Sequence, residues 1–309
     1  MEKHFYGNGK LLLTGEYVVL DGARCLAVPT SYGQSLSIGK GDPGKLSWIS
    51  KDEKGHTWFS YTFDIKADFD LADNDTNRKD STIQRLTGLI RAAREMNPNF
   101  LNSTEGFTVT AKLSFPRDWG LGSSSTLVSN LARWAGIDPF ELLSQTFKGS
   151  GYDIACARHD SPVLYSIAQK KPEIVPVTFN PPFRENLFFV HLNQKQDSRE
   201  GIKRYKSRSK DEKAIQEISE ITNRVLTCEE LEEFESLLIR HEQIIASLIQ
   251  LRVVKERLFP DFPGVIKSLG AWGGDFVIAT ARTSPTAYFK SKGYDTVIPY
   301  ADMILNTTS

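Results

Sequence analysis

The segment that most constrains this sequence is a strand, a glycine- and serine-rich loop and a helix, which follow one another between residues 106 and 135. Apolar residues of one parity alternate with polar residues in the strand segment, at Phe107, Val109, Ala111, Leu113 and Phe115. This alternation predicts a strand with one buried face. The run from Thr126 to Ala135 carries apolar side chains at helical spacing. The loop therefore joins the end of a strand to the start of a helix.

The loop, Pro116-Arg-Asp-Trp-Gly-Leu-Gly-Ser-Ser-Ser125, has the composition of an anion-binding turn. Its glycines allow the backbone to approach an anion closely, and the unpaired amides and dipole of the following helix favour negative charge there. Its serines add hydroxyls that can bond phosphate oxygens or bind magnesium, a cation that prefers oxygen ligands. The same residue types also make an ordinary turn with a serine helix cap. The loop alone leaves both interpretations open.

A second glycine-rich stretch, Gly39-Lys-Gly-Asp-Pro-Gly-Lys45, has the glycine spacing of a Walker loop. Leu46 stands where that motif requires Ser or Thr, and no helical pattern follows. We therefore expect a hairpin turn at this position.

A small-residue turn at Lys148-Gly-Ser-Gly-Tyr-Asp-Ile-Ala-Cys156 delivers Asp153 to the start of an apolar segment. In phosphoryl transfer to an alcohol, such a carboxylate can take the hydroxyl proton while a lysine offsets the charge on the transferred group. Lys10 is the candidate lysine. A helix-capping aspartate and a surface lysine are the alternatives. A close backbone approach or a tight hairpin can explain the glycine-rich turn Gly270–Phe276, and by itself the turn favours the structural interpretation.

Composition limits the possible partners of the chain. Its 309 residues carry 38 Lys and Arg against 38 Asp and Glu, so no global field draws it to nucleic acid or to an anionic membrane. No apolar run approaches the roughly 20 residues that span a bilayer. The three cysteines form no CxxC pair, which favours reduced thiols. We expect a cytoplasmic protein that is a monomer or homodimer and acts on a small molecule.

The pattern of elements predicts two domains, residues 1–170 and 171–309. The N-terminal part contains extended segments within residues 10–38, one of them at Tyr17–Leu20. The second half contains strands near Ile174–Val177 and Leu187–Leu192, two long amphipathic helices at about 210–226 and 229–252, and a strand at Phe276–Ala281.

Three segments of the sequence resemble, in the same order along the chain, the three motifs of the GHMP family. This family comprises the galactokinases, homoserine kinases, mevalonate kinases and phosphomevalonate kinases. Gly9–Gly22 resembles the first motif, with Asn8 in place of a proline. Pro116–Ser125 matches the second, which is the ATP phosphate loop, and Gly270–Phe276 resembles the third, with Trp272 in place of a glycine. The Gly-Tyr-Asp-Ile-Ala sequence is most similar to that of phosphomevalonate kinases, so the mevalonate pathway is the closest branch.

The resemblance implies an α+β fold of two domains, an N-terminal one like domain 2 of ribosomal protein S5 and a ferredoxin-like C-terminal one. It implies ATP and Mg²⁺ as cofactors and makes Asp153 the catalytic carboxylate with Lys10 as its charged partner. The nucleotide residues would be Gly120, Leu121, Gly122, Ser123, Ser124 and Ser125. Leu142 stands where many mevalonate kinases carry a metal-binding glutamate, so the metal would rest on Ser124. The acceptor residues would be Glu16, Tyr17, Ser150, Gly151, Lys195, Ser198, Arg199, Gly273 and Gly274.

The activity that the resemblance implies is transfer of the γ-phosphate of ATP to mevalonate or phosphomevalonate, an alcohol or phosphate acceptor of isoprenoid biosynthesis. A sugar kinase of the same family is the first alternative. A nucleotide-binding regulator without catalysis is the second, because Asn8, Leu142 and Trp272 depart from the family pattern. Decarboxylation coupled to phosphorylation fits the Gly-Tyr-Asp-Ile-Ala segment less well.

Overall fold

The computed structural model describes residues 2–69, 81–194, 198–272 and 274–305, and for Ser198 and Arg199 it describes the backbone alone. These residues form two compact units. The first unit draws on Met1–Gly9, Tyr32–Arg117 and Gly122–Arg158, and the second on Lys10–Ser31, Asp118–Leu121 and His159–Ser309. A single boundary near residue 170 does not describe this division, because Lys10–Ser31 groups with the C-terminal residues.

The first unit contains a mixed sheet with helices packed against it. Its strand order is β4-β3-β5-β2, in which β5 pairs parallel with β3 and antiparallel with β2; β1 pairs with β2 as well. The strands that lie wholly or partly in this unit are β1 (Lys3–Thr14), β2 (Cys25–Gly41), β3 (Lys45–Lys51), β4 (Thr57–Asp64) and β5 (Gly106–Leu113). The helices are α1 (Ile65–Phe69), α2 (Ser81–Met96), α3 (Ser123–Ala135), α4 (Pro139–Gln145) and α5 (Tyr152–Arg158).

The core of this unit lies between the sheet and its helices. Trp48 and Val109 from the sheet belong to one buried cluster with Leu89 of α2, Leu131 of α3 and Ile154 of α5. The alternation expected around Val109 is confirmed, since Val109, Ala111 and Leu113 are buried whereas Lys112 is exposed. Burial of one face fixes the register of a strand. The strand, loop and helix predicted at residues 106–135 are therefore present, with the helix starting at Ser123.

The second unit contains an antiparallel four-stranded sheet of order β11-β8-β10-β9. The first residues of β2 also pair with β6, and β6 pairs with β7. The further strands are β6 (Val163–Ala168), β7 (Lys171–Pro176), β8 (Leu187–His191), β9 (Ile266–Ser268), β10 (Phe276–Thr280) and β11 (Val297–Pro299). The helices are α6 (Ser198–Lys206), α7 (Glu212–Thr227), α8 (Leu231–Ile249), α9 (Val254–Leu258), α10 (Thr286–Ser291) and α11 (Tyr300–Met303).

The two long helices predicted in the second half are confirmed as α7 and α8. Asp211 caps α7 by accepting a hydrogen bond from the Ala214 amide at 3.1 Å. The apolar residues of α8 recur at the helical repeat and therefore share one face. Leu237, Leu238, Ile244 and Ile245 on this face are all buried. Within the described residues, no helix has both the length and the apolar composition needed to cross a bilayer.

Two local expectations are wrong. The strand expected at Tyr17–Leu20 is a 3-10 helix, Val18–Asp21, because Tyr17 has a φ of 64° and the chain turns there instead of continuing as a strand. The hairpin expected at Gly39–Lys45 is absent, although a turn is present, with the Lys45 amide donating to the Asp42 carbonyl at 3.0 Å. β2 and β3 do not pair across it, because β5 lies between them.

Candidate active site

The start of α3 has the features of an anion-binding helix end. Gly122 precedes the helix with a φ of 88°, a left-handed conformation that favours glycine, and no side chain caps the helix. The first helical hydrogen bond runs from the Thr126 amide to the Gly122 carbonyl at 3.0 Å. The amides of residues 123–125 therefore precede the hydrogen-bonded ladder, and the positive end of the helix dipole lies there. Ser124 is exposed in this first turn, whereas Ser125 is buried.

Ser125 connects this helix start to the predicted catalytic carboxylate. Its hydroxyl donates a hydrogen bond to Oδ2 of Asp153, the second residue of α5. The turn before α5 contains Gly149 and Gly151, both with positive φ, and it delivers Asp153 to the helix start. The other oxygen, Oδ1, accepts from the Ile154 amide at 3.1 Å. The structure thus brings one of the three predicted phosphate-binding serines, Ser125, into direct contact with the predicted proton acceptor within the first unit.

Lys10, in the second unit, is anchored to the glycine loop. Its Nζ donates to the Gly120 carbonyl at 2.8 Å, and its backbone amide donates to the Leu121 carbonyl at 3.0 Å. These bonds hold the lysine on the loop that the sequence predicts to bind phosphate. Lys10 is half-buried, so its ammonium is not a freely moving surface charge.

Gly120 is tightly constrained by a neighbour from the third motif. Its φ is 66°, and a Cβ added there would collide with the carboxylate of Asp275. Asp275 itself has a φ of 52°, and its amide donates to the Gln194 carbonyl at 2.6 Å. The first, second and third motifs therefore meet within the second unit, at Lys10, Gly120 and Asp275.

A cluster of buried ionisable side chains lies behind the first motif. Glu16 Oε1 accepts from Lys267 Nζ at 2.5 Å, and Glu16 Oε2 lies 3.3 Å from His241 Nε2. Glu16, Lys267 and His241 are each at most 1% exposed. Glu242 adds a second carboxylate, which accepts from the Ser268 amide and hydroxyl. Glu16, expected to touch the acceptor, is thus engaged by β9 and α8.

Burial dominates the protonation of this cluster. Desolvation raises the pKa of Glu16 even though Lys267 acts against it, and it raises the pKa of Glu242 to about 7. Burial, together with the Lys267 charge, lowers the pKa of His241 well below its usual value. The imidazole is therefore neutral, with Nε2 accepting the Gly15 amide proton at 2.9 Å. Lys267 is therefore the cation that faces the carboxylates of Glu16 and Glu242 in this cluster.

Tyr17, next to Glu16, lies against a small cavity in the second unit. Its hydroxyl accepts from the Trp272 amide at 3.1 Å, and burial raises its pKa, so the phenol keeps its proton. The cavity has a volume of about 230 Å³. Its lining comes from the first motif, the segment after β8, α6, the end of α8, α9 and the third motif: Tyr17, Gln194, Glu200, Gly201, Arg204, Ile249, Leu251, Arg257, Ala271 and Trp272.

Other predicted acceptor residues are only partly placed. Ser150 and Gly151 lie in the turn before α5, and Gly274 lies in the turn before β10. Lys195 and Gly273 lie outside the described residues. Ser198 and Arg199 begin α6, and their side chains also lie outside the description.

Sequence reasoning missed Lys267, His241 and Glu242 of the buried cluster, and Arg204 and Arg257 of the cavity. A signal existed for His241, because it falls on the apolar face of α8 between Leu237 and Ile244. Lys267 stands alone in the apolar run Val265-Ile-Lys-Ser-Leu269. Nothing near Arg204 or Arg257 in the sequence indicates that they line one cavity, since they lie on separate helices.

Comparison with solved structures gives the fold directly. No family model and no curated protein matches the sequence. The mevalonate kinase of Methanococcus jannaschii aligns with a TM-score of 0.69 at 15% identity, over 96% of this chain and 97% of that one. The Streptococcus pneumoniae phosphomevalonate kinase, in complex with phosphomevalonate and AMPPNP, aligns with a TM-score of 0.67 at 18% identity, over 98% of both chains. The Lactococcus lactis galactokinase complexed with galactose aligns with a TM-score of 0.61 at 15% identity, over 94% and 88%.

This chain has the GHMP kinase fold. The α+β architecture expected from the sequence is therefore confirmed, and the three kinases share it at sequence identities that do not fix an acceptor. The S5-like and ferredoxin-like names of the two domains stay predictions.

A magnesium ion at this site would depend on oxygen ligands. Among the residues that the structure describes, no group of three or more His, Cys, Asp or Glu side chains is placed to hold a metal. The exposed hydroxyl of Ser124 in the first turn of α3 suits a hard cation that takes its other ligands from phosphate and water. These residues fit a nucleotide-borne magnesium ion better than a resident one.

Proposed function

We propose that this protein is an ATP-dependent small-molecule kinase that transfers the γ-phosphate of ATP to mevalonate or phosphomevalonate. The observation that carries the proposal is the hydrogen bond from Ser125 to Asp153, which joins the helix end suited to phosphate with a carboxylate suited to proton transfer. The GHMP kinase fold supports the same reaction class, since solved kinases with this fold include a complex with phosphomevalonate and AMPPNP.

In the proposed mechanism, the amides and hydroxyls of residues 120–125 hold the nucleotide phosphates. Asp153 takes the proton of an acceptor hydroxyl or orients an acceptor phosphate oxygen. Lys10, fixed on the Gly120 carbonyl, offsets negative charge on the transferred group. Magnesium would neutralise phosphate charge when bound. Positioning and electrostatics supply the catalysis, because phosphoryl transfer needs little covalent chemistry from the protein.

Glu16 has a different role in this proposal from the acceptor contact that the resemblance implies. Its carboxylate is buried and its Oε1 accepts from Lys267, so we assign it to positioning Tyr17. Tyr17 lines the cavity together with Gln194, which follows β8, and with Ala271 and Trp272 of the third motif. This cavity is our candidate for part of the acceptor site.

The test is ADP release from magnesium-ATP with mevalonate, phosphomevalonate, galactose and homoserine as acceptors. We expect turnover with one of the two isoprenoid acids. Asp153→Asn keeps the size of the side chain but removes the base, and should lower kcat by about 10²–10⁴-fold. Asp138→Asn is the matched control, because Asp138 also lies at a helix start in the first unit but caps α4 through the Phe140 and Glu141 amides.

Each other result has a defined meaning. Turnover of galactose alone would assign a sugar kinase, which the galactokinase with this fold makes the second candidate. Binding of ATP without turnover of any acceptor would favour a nucleotide-binding regulator. Equal loss of activity in both aspartate variants would remove Asp153 from the proposed role.

A further inference from the structure

Two arginines outside all the recognised motifs line the cavity beside Tyr17. Arg204 belongs to α6 and Arg257 to α9, and both border the cavity of about 230 Å³ together with Tyr17 and Trp272. Pockets for drug-sized ligands usually span about 300–1,000 Å³. The volume therefore suits one end of a small molecule.

The guanidinium groups of these two arginines differ from those of three other arginines in the second unit, which are held by glutamates. Arg224, Arg240 and Arg282 each form an ion pair with a glutamate, at 2.5–2.6 Å. Within the part of the chain that the structure describes, neither Arg204 nor Arg257 has a side-chain ion pair or hydrogen bond. Their donors remain available for a ligand, and the planar fork of arginine matches a carboxylate in two parallel hydrogen bonds.

The rest of the lining defines what kind of anion fits. Glu200 contributes one carboxylate against the two guanidinium groups, so the cavity keeps a net positive charge. Tyr17 stays neutral because burial raises its pKa, and its phenol can therefore donate a hydrogen bond. Ile249 and Leu251 form an apolar wall. The combination suits a compact acid with a small hydrocarbon body.

We propose that Arg204 and Arg257 bind the carboxylate of the acceptor and make the enzyme selective for hydroxy acids over neutral sugars. This inference rests on the proposed kinase function, which supplies the acceptor. Tyr17 and Trp272 place the carboxylate site beside the first and third motifs. A neutral acceptor cannot pair with either guanidinium group, so it gains less from this cavity than an acid does.

The first experiment is calorimetric titration of the full chain with mevalonate and with its neutral carboxamide, without nucleotide. Arg204→Met and Arg257→Met should each weaken binding of the acid by about 10- to 100-fold, the usual range for a lost charged hydrogen bond. Binding of the carboxamide should change less than threefold. Glu200→Gln should tighten binding of the acid, because it removes a repulsive charge.

Lys203→Met is the matched control, since Lys203 is an exposed cation of α6 that does not line the cavity. It should leave both titrations unchanged. Melting temperatures of all variants report whether the fold is intact. Equal weakening of acid and carboxamide, unchanged binding in both arginine variants, or no binding to the native chain would overturn the proposal.

The second experiment separates this inference from the proposed function. In the ADP-release assay, the arginine variants should raise KM for the acid acceptor and leave kcat and KM for ATP unchanged. Turnover of the acid with an unchanged KM would retain the kinase and reject the carboxylate site. Arginine-dependent binding of mevalonate in a chain that phosphorylates no acceptor would retain the site and reject the kinase.

Discussion

Lys267 Nζ and Glu16 Oε1 lie 2.5 Å apart, and neither side chain is more than 1% exposed. Glu16 belongs to the first motif and Lys267 to β9, so the pair links residues 251 positions apart in the sequence. Removing charges from water is costly, and only close geometry and further hydrogen bonds offset that cost. Lys267 has such a bond, which it donates to the Ser268 carbonyl at 2.7 Å.

Loss of one partner of this pair should destabilise the protein strongly. We expect Lys267→Met to lower the free energy of unfolding by about 3–5 kcal/mol, because it leaves the Glu16 and Glu242 carboxylates without their cation. The double variant Glu16→Gln, Lys267→Met should be more stable than Lys267→Met alone. Denaturant unfolding of the four proteins gives the coupling energy. Additive effects would show that the buried pair is not coupled.

Glu242 should make stability fall with rising pH. Its pKa is about 7 in the folded protein against an ordinary value of 4.5, so between these values the unfolded chain loses a proton that the folded chain keeps. Stability from this group is full below pH 4.5 and is lost as pH rises to about 7, by on the order of 3 kcal/mol. Glu242→Gln should make this decline smaller in unfolding curves measured across pH 4.5–7, and the remainder comes from Glu16, whose pKa burial also raises.

The same measurement must be separated from the effect of His241, whose contribution to the pH dependence of stability has the opposite sign. Its pKa lies well below 6.5 in the folded protein, so stability is lost as pH falls through 6.5 and the unfolded imidazole gains a proton. The difference between native and Glu242→Gln curves cancels this term. A flat difference curve would contradict the raised pKa of Glu242.

Gly120→Ala should be far more damaging than an alanine at another left-handed glycine. Gly136 has a φ of 68° and open space around its Cβ position, whereas Gly120 has a φ of 66° and the Asp275 carboxylate in that space. Gly136→Ala should cost about 1–2 kcal/mol of stability, the strain of a left-handed backbone. Gly120→Ala should add a collision to this strain and impair ATP binding. If Gly120→Ala and Gly136→Ala had similar effects on thermal unfolding and on nucleotide titration, the close approach of Asp275 to Gly120 would be refuted.

Ser125→Ala should slow the reaction without unfolding the protein. It removes the hydroxyl that donates to Asp153, and we expect kcat to fall about tenfold. Ser129→Ala is the control on the same helix, because the Ser129 hydroxyl is fully buried and has no hydrogen-bond partner among the described residues. An equal fall in kcat for both variants would mean that Ser125 acts through helix packing alone.

Local patterns predicted the parts of the fold whose structure is decided locally. The alternation around Val109 and the apolar spacing after Thr126 require only one buried face each, and both elements are present. The strand prediction at Tyr17–Leu20 was wrong because a turn, and not a strand, buries its apolar residues. Composition cannot distinguish these two ways of burying a short apolar run.

The candidate site divides in the same way. The glycine-serine loop and Asp153 could be predicted as candidates because each lies in a motif that is contiguous in the sequence. Lys267 and Arg257 were missed because their roles depend on partners far away, Glu16 for one and the cavity beside Tyr17 for the other. Such pairings follow from the tertiary fold and leave no periodic signal near either residue.

The position of β5 between β2 and β3 has a consequence for folding. A tight turn joins β2 to β3, but these two strands do not pair with each other. Each pairs instead with β5, so their facing edges have no partner until residues 106–113 are made. During synthesis the facing edges of both strands therefore stay open while residues 52–105 are still being made. Non-local pairing of this kind slows folding and exposes strand edges to aggregation. Heterologous production of this chain should thus benefit from slow expression or abundant chaperones.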